Sequence, residues 1–86
     1  MKEYVSVDVE TTGLAPKQDK IIEIGAVRVR DGQIVGSFTS FVNPGRILPA
    51  HITELTGILQ EQVDEAETME SVLPAFLEFA GDLPLV

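Results

Sequence analysis

Apolar and polar residues alternate at the start of the chain, and this pattern predicts a β-strand over residues 3–10. Successive side chains of a strand point to opposite faces of its sheet. One face therefore carries Val5, Val7 and Val9, and the other carries Ser6, Asp8 and Glu10. The strand has an apolar face that can enter a core and a second face that presents two carboxylates.

Two further strands are predicted over residues 20–30 and 33–43, which are rich in Val, Ile and Phe. A loop over residues 11–19 precedes them, with Gly13, Pro16 and Asp19 as breakers. Asp31-Gly32 predicts a two-residue hairpin turn between the two strands, with positive φ at both positions. Asn43-Pro44-Gly45 ends the third strand, because proline has no N–H to donate to the ladder.

Residues 50–55 are predicted to form a short helical turn, and residues 69–80 a longer helix. Apolar side chains of the longer helix recur at three- and four-residue spacing on one face, at Met69, Val72, Leu73, Phe76, Phe79 and Ala80. Thr68 is the expected N-cap, and Gly81 suits the end of the helix. Pro74 fits best near a first turn, so a start closer to Ser71 is the alternative.

Leu83-Pro84-Leu85-Val86 predicts the beginning of a fourth strand. The resulting β-β-β-α-β order implies an α/β fold with a mixed sheet, in which the fourth strand runs parallel to the first after a helical crossover. A chain that stops within an apolar strand leaves a sheet edge and apolar groups without partners. We therefore expect residues 1–86 to be the amino-terminal part of a single domain that is incomplete at its C-terminus.

Composition narrows the class of protein. Eighty-six residues make at most one small domain, and no apolar run approaches the roughly 20 residues that span a membrane. The first residues do not resemble a signal peptide. The absence of cysteine excludes disulfides and thiolate metal sites and fits a reducing compartment, so we expect the protein in the cytoplasm. Because there is no long apolar run, we expect no membrane partner.

The formal net charge of −8 is unfavourable for a protein that binds nucleic acid, because phosphate affinity comes mainly from Lys and Arg. The charges are unevenly distributed, however. Residues 1–46 contain all six basic residues and six acids, whereas residues 47–86 contain eight acids and no Lys or Arg. The excess acid is expected on a solvated face away from Asp8 and Glu10. Metal ions would then have to attract a phosphate locally.

Asp8 and Glu10 are candidate metal ligands and catalytic residues. At a rise of about 3.3 Å per residue they lie roughly 6.6 Å apart along the strand, so both can reach one cation or a pair of cations. Neighbouring carboxylates repel each other unless a cation neutralises them, and oxygen ligands suit Mg²⁺ or Mn²⁺ better than zinc. Isolated Asp-x-Glu triplets also occur on solvated strands, so the surrounding sequence decides between the two interpretations.

That surrounding sequence resembles the start of the DEDD (DEDDh or DEDDy) 3′–5′ exonuclease superfamily. The closest likeness is to the epsilon-type proofreading exonuclease of bacterial DNA polymerase III. The resemblance covers essentially all 86 residues, through the segments VDVETTGL, KIIEIGAVRVRDGQIV, FVNPG, ITELTGI and VLPAFLEFAG. It implies a ribonuclease-H-like fold, truncated here before the later strands and helices.

The resemblance also implies two-metal hydrolysis of a terminal phosphodiester, with four carboxylates holding two Mg²⁺ or Mn²⁺ ions. Asp8 and Glu10 match the first two carboxylates. The others, with the His or Tyr that orients the water, would follow Val86, so we expect this piece alone to be inactive. His51 and Asp82 match no catalytic position and are expected at the surface and in a turn. Glu23 is expected on a solvated strand face, with support of the metal site as the alternative.

Three substrate contacts are implied by the same motif. The backbone N–H of Thr11 would meet the terminal 3′ hydroxyl, and Thr12 and Gly13 would shape the turn. Leu14 would wedge against the terminal bases. Ordinary turn chemistry for the first three residues, and anchorage of the loop to the core for Leu14, are the alternatives.

The function implied is removal of nucleotides from single-stranded or frayed 3′ ends of DNA, in proofreading during replication. An RNA-trimming or repair exonuclease of the same superfamily is one alternative. Another is a non-catalytic module that docks on a polymerase or helicase through its acidic helix. A DNA polymerase subunit or fused polymerase domain is the expected protein partner.

Overall fold

The computed structural model describes residues 2–15 and 17–86 of the chain. Three strands, β1 (Glu3–Thr11), β2 (Ile21–Arg30) and β3 (Gln33–Phe41), form an antiparallel sheet in the order β1-β2-β3. Three helices follow, α1 (Ala50–Thr56), α2 (Gln60–Asp64) and α3 (Met69–Ala80). The predicted strands, short helical turn and longer helix are confirmed, although β3 ends at Phe41 and α2 was not predicted. Pro16, a predicted loop breaker, lies outside the described residues.

The β2–β3 turn has the predicted conformation. Asp31 has a φ of 49° and Gly32 a φ of 83°, the left-handed geometry that matches the twist of a two-residue hairpin. The carboxylate of Asp31 also accepts a hydrogen bond of 2.9 Å from the backbone N–H of Lys2, and the Asp31 N–H donates to the Lys2 carbonyl. The turn therefore holds the beginning of β1 as well as joining its own two strands.

A β-bulge interrupts the β1–β2 pairing near the end of β1. Glu10 pairs with Glu23 and Thr11 pairs with Ile21, so Ile22 is the extra residue on β2. Because of this extra residue, Ile21 packs against the cluster under α3, whereas Ile22 belongs to a second cluster. The buried members of the second cluster are Ile22, Leu48, Ile52, Ile58 and Val63.

Helix α3 covers the apolar face of the sheet, as its periodicity predicts. The buried members of this cluster are Val5, Ile24, Ala26, Val42, Val72, Phe76 and Ala80. Phe76 meets Phe38 of β3 edge to face, with ring centroids 5.8 Å apart. The last turn of α3 has no basic residue of its own, and Arg28 of β2 donates a guanidinium hydrogen bond to the carbonyl of Phe79. This cation complements the negative end of the helix dipole.

The start of α3 is at Met69, so the alternative start near Ser71 is wrong and Pro74 lies in the second turn. Thr68 occupies the N-cap position, but its hydroxyl makes no cap hydrogen bond to the helix backbone. The Thr68 carbonyl instead accepts the N–H groups of Ser71 and Val72. Pro74 is tolerated because it removes only one donor from a helix that the packing of Val72 and Phe76 already holds.

The last residues of the chain lie beside β1, as predicted for a fourth strand. Leu85 forms a parallel bridge with Val5. The N–H of Val5 donates to Pro84 (2.9 Å) and that of Val7 to Val86 (3.0 Å), while the Val86 N–H donates to Val5 (2.8 Å). Strand β1 is therefore paired on both edges over Val5–Val7, and the expected parallel direction after the α3 crossover is confirmed.

The loop between β1 and β2 is organised by the carboxylate of Asp19. This carboxylate accepts hydrogen bonds from the Thr12 hydroxyl (2.9 Å) and the Ala15 N–H (2.8 Å). The Thr12 hydroxyl in turn accepts the N–H of Lys20 at 2.9 Å, and Thr12 is buried. Gly13 leaves room for this carboxylate, because a Cβ would lie 2.6 Å from Asp19 Oδ2 and displace it from its hydrogen bonds. The bonds from the Ala15 N–H and the Thr12 hydroxyl hold the pKa of Asp19 below its ordinary value.

None of the helices within residues 2–15 and 17–86 has the length and apolar character that a membrane span requires.

Replacing Phe76 by Ala should lower the free energy of unfolding by about 3–5 kcal/mol, since the ring is almost fully buried against Phe38. Leu77→Ala is the matched control on the same helix, because 53% of Leu77 is exposed, and it should change stability by less than about 1 kcal/mol. Urea unfolding measures both values. Equal losses in the two variants would contradict the packing described for α3.

Asp19→Asn should remove a pH-dependent part of the stability. Because the folded pKa is lowered, the charged carboxylate stabilises the fold fully above its unfolded pKa of about 3.9, and this stabilisation disappears as the pH falls through the folded value. The difference in free energy of unfolding between wild type and variant should thus be constant near neutral pH and shrink in acid. Gly13→Ala should also lower the free energy of unfolding near neutral pH and less so in acid, because its Cβ would displace the Asp19 carboxylate. Asp82→Asn is the control, since Asp82 lies in an exposed turn. A difference that does not vary with pH would refute the assignment.

Candidate metal centre and substrate end

Asp8 and Glu10 lie on the same face of β1, opposite to the face that α3 covers. Asp8 is exposed and Glu10 is half-buried. The register places Gly25 directly opposite Asp8 and Glu23 directly opposite Glu10 on the neighbouring strand. Cross-strand partners share a face, with Cβ atoms about 4.5–5.5 Å apart. Asp8 and Glu10 are thus neighbours on one face near the end of the strand, and Glu23 lies beside Glu10 on the same face.

The donor set fits a hard divalent cation. Both side chains supply oxygen only, and neither forms a salt bridge with a Lys, Arg or His among the described residues. No group of three or more His, Cys, Asp or Glu side chains within residues 2–15 and 17–86 is arranged to hold a metal ion. The described chain thus offers a pair of candidate ligands, and water, phosphate or other carboxylates would have to complete an octahedral shell.

The motif residues after Glu10 differ in what they can offer a ligand. The Thr11 hydroxyl donates a 2.6 Å hydrogen bond to the Gly13 carbonyl, and the Thr12 hydroxyl is engaged with Asp19 and Lys20. Neither side chain is free, which agrees with a role in shaping the turn. Leu14 is 99% exposed, so it does not anchor the loop to the core and that alternative is wrong.

The backbone N–H of Thr11 has a defined direction. The N–H groups of Val5 and Val7 point to the chain end at residues 84–86, and that of Thr12 points to Lys20 on the β2 side. Because backbone donors alternate along a strand, the Thr11 N–H points to the same edge as those of Val5 and Val7. The Thr11 N–H therefore points away from β2, next to Glu10.

Two grooves lie at this end of the sheet, and the larger one is not beside the carboxylates. A groove of about 600 Å³ runs between the β1–β2 loop, the segment after β3 and the beginning of α3, with Lys20, Asn43 and Glu70 on its walls. A smaller groove of about 310 Å³ is lined by Thr11, Gly13 and Leu14, among others. Neither groove is lined by Asp8 or Glu10, and the smaller one is formed by the motif residues that follow them.

His51 and Asp82 are exposed, as expected. Glu23 was expected on a solvated strand face, but it is half-buried and lies directly opposite Glu10. The eight acids of the second half of the chain are all exposed, which confirms a solvated acidic surface. The sequence interpretation missed the role of Asp19, although an Asp a few residues after Thr-Thr-Gly within a turn is a recognisable signal for side-chain to backbone bonding.

Comparison with known proteins identifies the family. Residues 5–86 match the sequence model of the RNase T exonuclease family. The PolC-type DNA polymerase III of Clostridium perfringens (strain 13 / Type A) is 55% identical over 84 residues, which cover 98% of this chain and 6% of that protein.

Solved structures agree with this match. The nuclease domain of 3′hExo, a DEDDh family member bound to rAMP, has a TM-score of 0.78 and 30% identity over 90% of this chain and 42% of its own. Exonuclease X in complex with 5′ overhanging duplex DNA has a TM-score of 0.74 and 32% identity, over 85% of this chain and 42% of its own. These likenesses confirm the α/β, ribonuclease-H-like fold.

The chain spans only a small part of the curated relatives that it resembles, and less than half of either of these two nucleases. The DEDDh exonucleases in general depend on divalent metal ions, and the carboxylate oxygens of Asp8 and Glu10 are of the kind that such ions prefer. The match over residues 5–86, together with these structural neighbours, shows that the chain belongs to the RNase T family of exonucleases, with DEDDh members as its structural relatives.

Proposed function

We propose that this chain supplies the first two metal-binding carboxylates of a 3′–5′ exonuclease that removes nucleotides from DNA 3′ ends during replication. The observation that carries the proposal is the position of Asp8, exposed, and Glu10, half-buried, two residues apart on the face of β1 that α3 leaves uncovered. A single-stranded or frayed 3′ end can approach this face.

In this proposal Asp8 and Glu10 would hold Mg²⁺ or Mn²⁺. Such ions, when bound, would supply Lewis-acid activation of a water molecule and charge stabilisation for the leaving 3′ oxygen. The N–H of Thr11, which points away from β2, binds the 3′ hydroxyl of the terminal nucleotide. The bonds between Thr11 and Gly13 and between Thr12 and Asp19 hold the turn that orients this donor.

Leu14 is proposed to pack against the terminal base. A leucine that is 99% exposed lowers the free energy of binding if it meets an apolar partner, and the flat face of any base can provide one. Such a contact discriminates little between bases. It suits an enzyme that must remove any terminal nucleotide.

DNA is the proposed substrate because the PolC-type DNA polymerase III relatives are 45–55% identical to this chain. RNA is the second candidate, since the 3′hExo neighbour was solved with rAMP and another neighbour is a 3′-exonuclease that recognises a histone mRNA stem-loop. A comparison of initial rates on DNA and RNA oligonucleotides of one sequence decides between them. The chain corresponds to 6% of the Clostridium relative, so we also propose that it works within a longer polypeptide that includes a polymerase.

Residues 1–86 are proposed to be catalytically incomplete. Among the described residues no group of three or more His, Cys, Asp or Glu side chains is arranged to hold a metal ion, although Glu23 lies on the same face as the pair. The remaining ligands and the general base would come from a further segment of the same domain. The test is to compare hydrolysis of a labelled DNA 3′ end by this chain and by the complete protein.

In the complete protein, Asp8→Asn and Glu10→Gln should each lower the rate of DNA 3′-end hydrolysis by at least about a hundredfold, because each removes a ligand of a catalytic ion. Initial rates at saturating Mn²⁺ measure the effect. Glu61→Gln, which removes an exposed carboxylate from α2, should leave the rate unchanged. Wild-type rates in both site variants would rule out the proposed centre.

Leu14→Ala should raise KM for a single-stranded 3′ end several-fold while leaving the free energy of unfolding within about 0.5 kcal/mol of wild type. The reason is that the side chain contacts solvent and not the core. Ile34→Ala, 68% exposed at the opposite end of the sheet, is the control and should not affect KM. If both variants had the KM of wild type, Leu14 would have no part in substrate binding.

A further inference from the structure

The centre of β2 contains a glycine where the sheet faces the candidate metal centre. Gly25 pairs with Asp8 on one side and with Thr39 of β3 on the other. Because directly opposed residues share a face, Gly25 lies between these two side chains on the carboxylate face. The row Asp8–Gly25–Thr39 therefore has a gap in its middle, next to the first carboxylate.

The fold does not require glycine at this position. Four other glycines have positive φ, namely Gly32, Gly45, Gly57 and Gly81, but Gly25 does not. A Cβ added to Gly25 would meet only the backbone oxygen of Asp8, at 3.9 Å, which is an ordinary van der Waals contact. Gly13, by contrast, cannot accept a Cβ because Asp19 is too close.

Glycine in the middle of a strand is unfavourable for stability. It has the largest backbone entropy to lose on folding and offers no side chain to its cross-strand neighbours. A β-branched residue at position 25 would fit the pleated backbone better. Gly25 thus lowers stability although the backbone geometry does not require glycine, which indicates that it has another role.

We propose that Gly25 is a positioning residue that keeps the space beside Asp8 free for a hydrated divalent ion and the phosphate bound to it. This inference rests on the proposed function. An ion held by Asp8 keeps an octahedral shell of oxygens at about 2.0–2.1 Å, and some of these belong to water or phosphate. The methyl groups of a valine at position 25, whose Cβ would lie about 4.5–5.5 Å from that of Asp8, would occupy the volume those oxygens need.

The test separates stability from metal binding in one set of variants. Gly25→Ala and Gly25→Val are unfolded by urea with and without millimolar Mn²⁺, since an ion that binds only the folded state raises the midpoint. Without metal, both variants should be at least as stable as wild type. Mn²⁺ should raise the urea midpoint of unfolding less in Gly25→Ala than in wild type. In Gly25→Val the rise should be as small as in Asp8→Asn. Hydrolysis of a DNA 3′ end by the complete protein should fall at least tenfold in Gly25→Val.

Gly36→Ala is the matched control, a strand glycine without positive φ on the α3 face, whose added Cβ would meet Phe79 at 3.6 Å. It should keep the full Mn²⁺ effect. A Gly25→Val protein that is unfolded without metal would overturn the inference, because glycine would then serve the fold. A full Mn²⁺ effect in Gly25→Val that is lost in Asp8→Asn would overturn the inference and leave the proposed function standing. A wild-type rise of the urea midpoint with Mn²⁺ in Asp8→Asn would overturn both the Gly25 inference and the proposed metal site.

Discussion

The pairing of β1 with β2 is the constraint on which the rest of the structure depends. Side chains alternate strictly along a strand, so the register that buries Val5 against α3 also puts Asp8 and Glu10 on the other face. A slip by one residue would bury the carboxylates and expose the valines. The hydrophobic core thus fixes the side of the sheet on which the acidic pair stands, although the acids contribute nothing to that core.

Much of this fold follows from local patterns, and the exceptions have identifiable causes. The 69–80 helix, the Asp31-Gly32 turn and the direction of the final residues follow from periodicity, turn chemistry and crossover rules. Helix α2 was missed because it has only five residues and one buried side chain, Val63. Its position depends on Gln60, whose side chain accepts the N–H of Leu48 at 2.6 Å from a distant loop. Contacts of this kind leave no periodic signal.

The residues of the candidate site could be predicted from the sequence, but the packing around them could not. Asp8 and Glu10 follow from the alternation and the resemblance. The bulge at Ile22, which directs Ile21 and Ile22 into different clusters, depends on tertiary packing that the sequence of apolar residues does not reveal. Sequence alternation also overestimates the burial of Val9, which is 41% exposed because the core does not extend to the end of β1. The acidic pair therefore occupies the part of the strand that the core supports least.

The double pairing of β1 over Val5–Val7 has a consequence for motion. The amides of Val5 and Val7 are bonded to the segment 84–86, while β2 holds the other edge of the strand. Opening this half of β1 breaks two ladders, so its amide hydrogens should exchange with solvent only in rare, extensive openings. The first half of β1 is thus held firmly within the sheet.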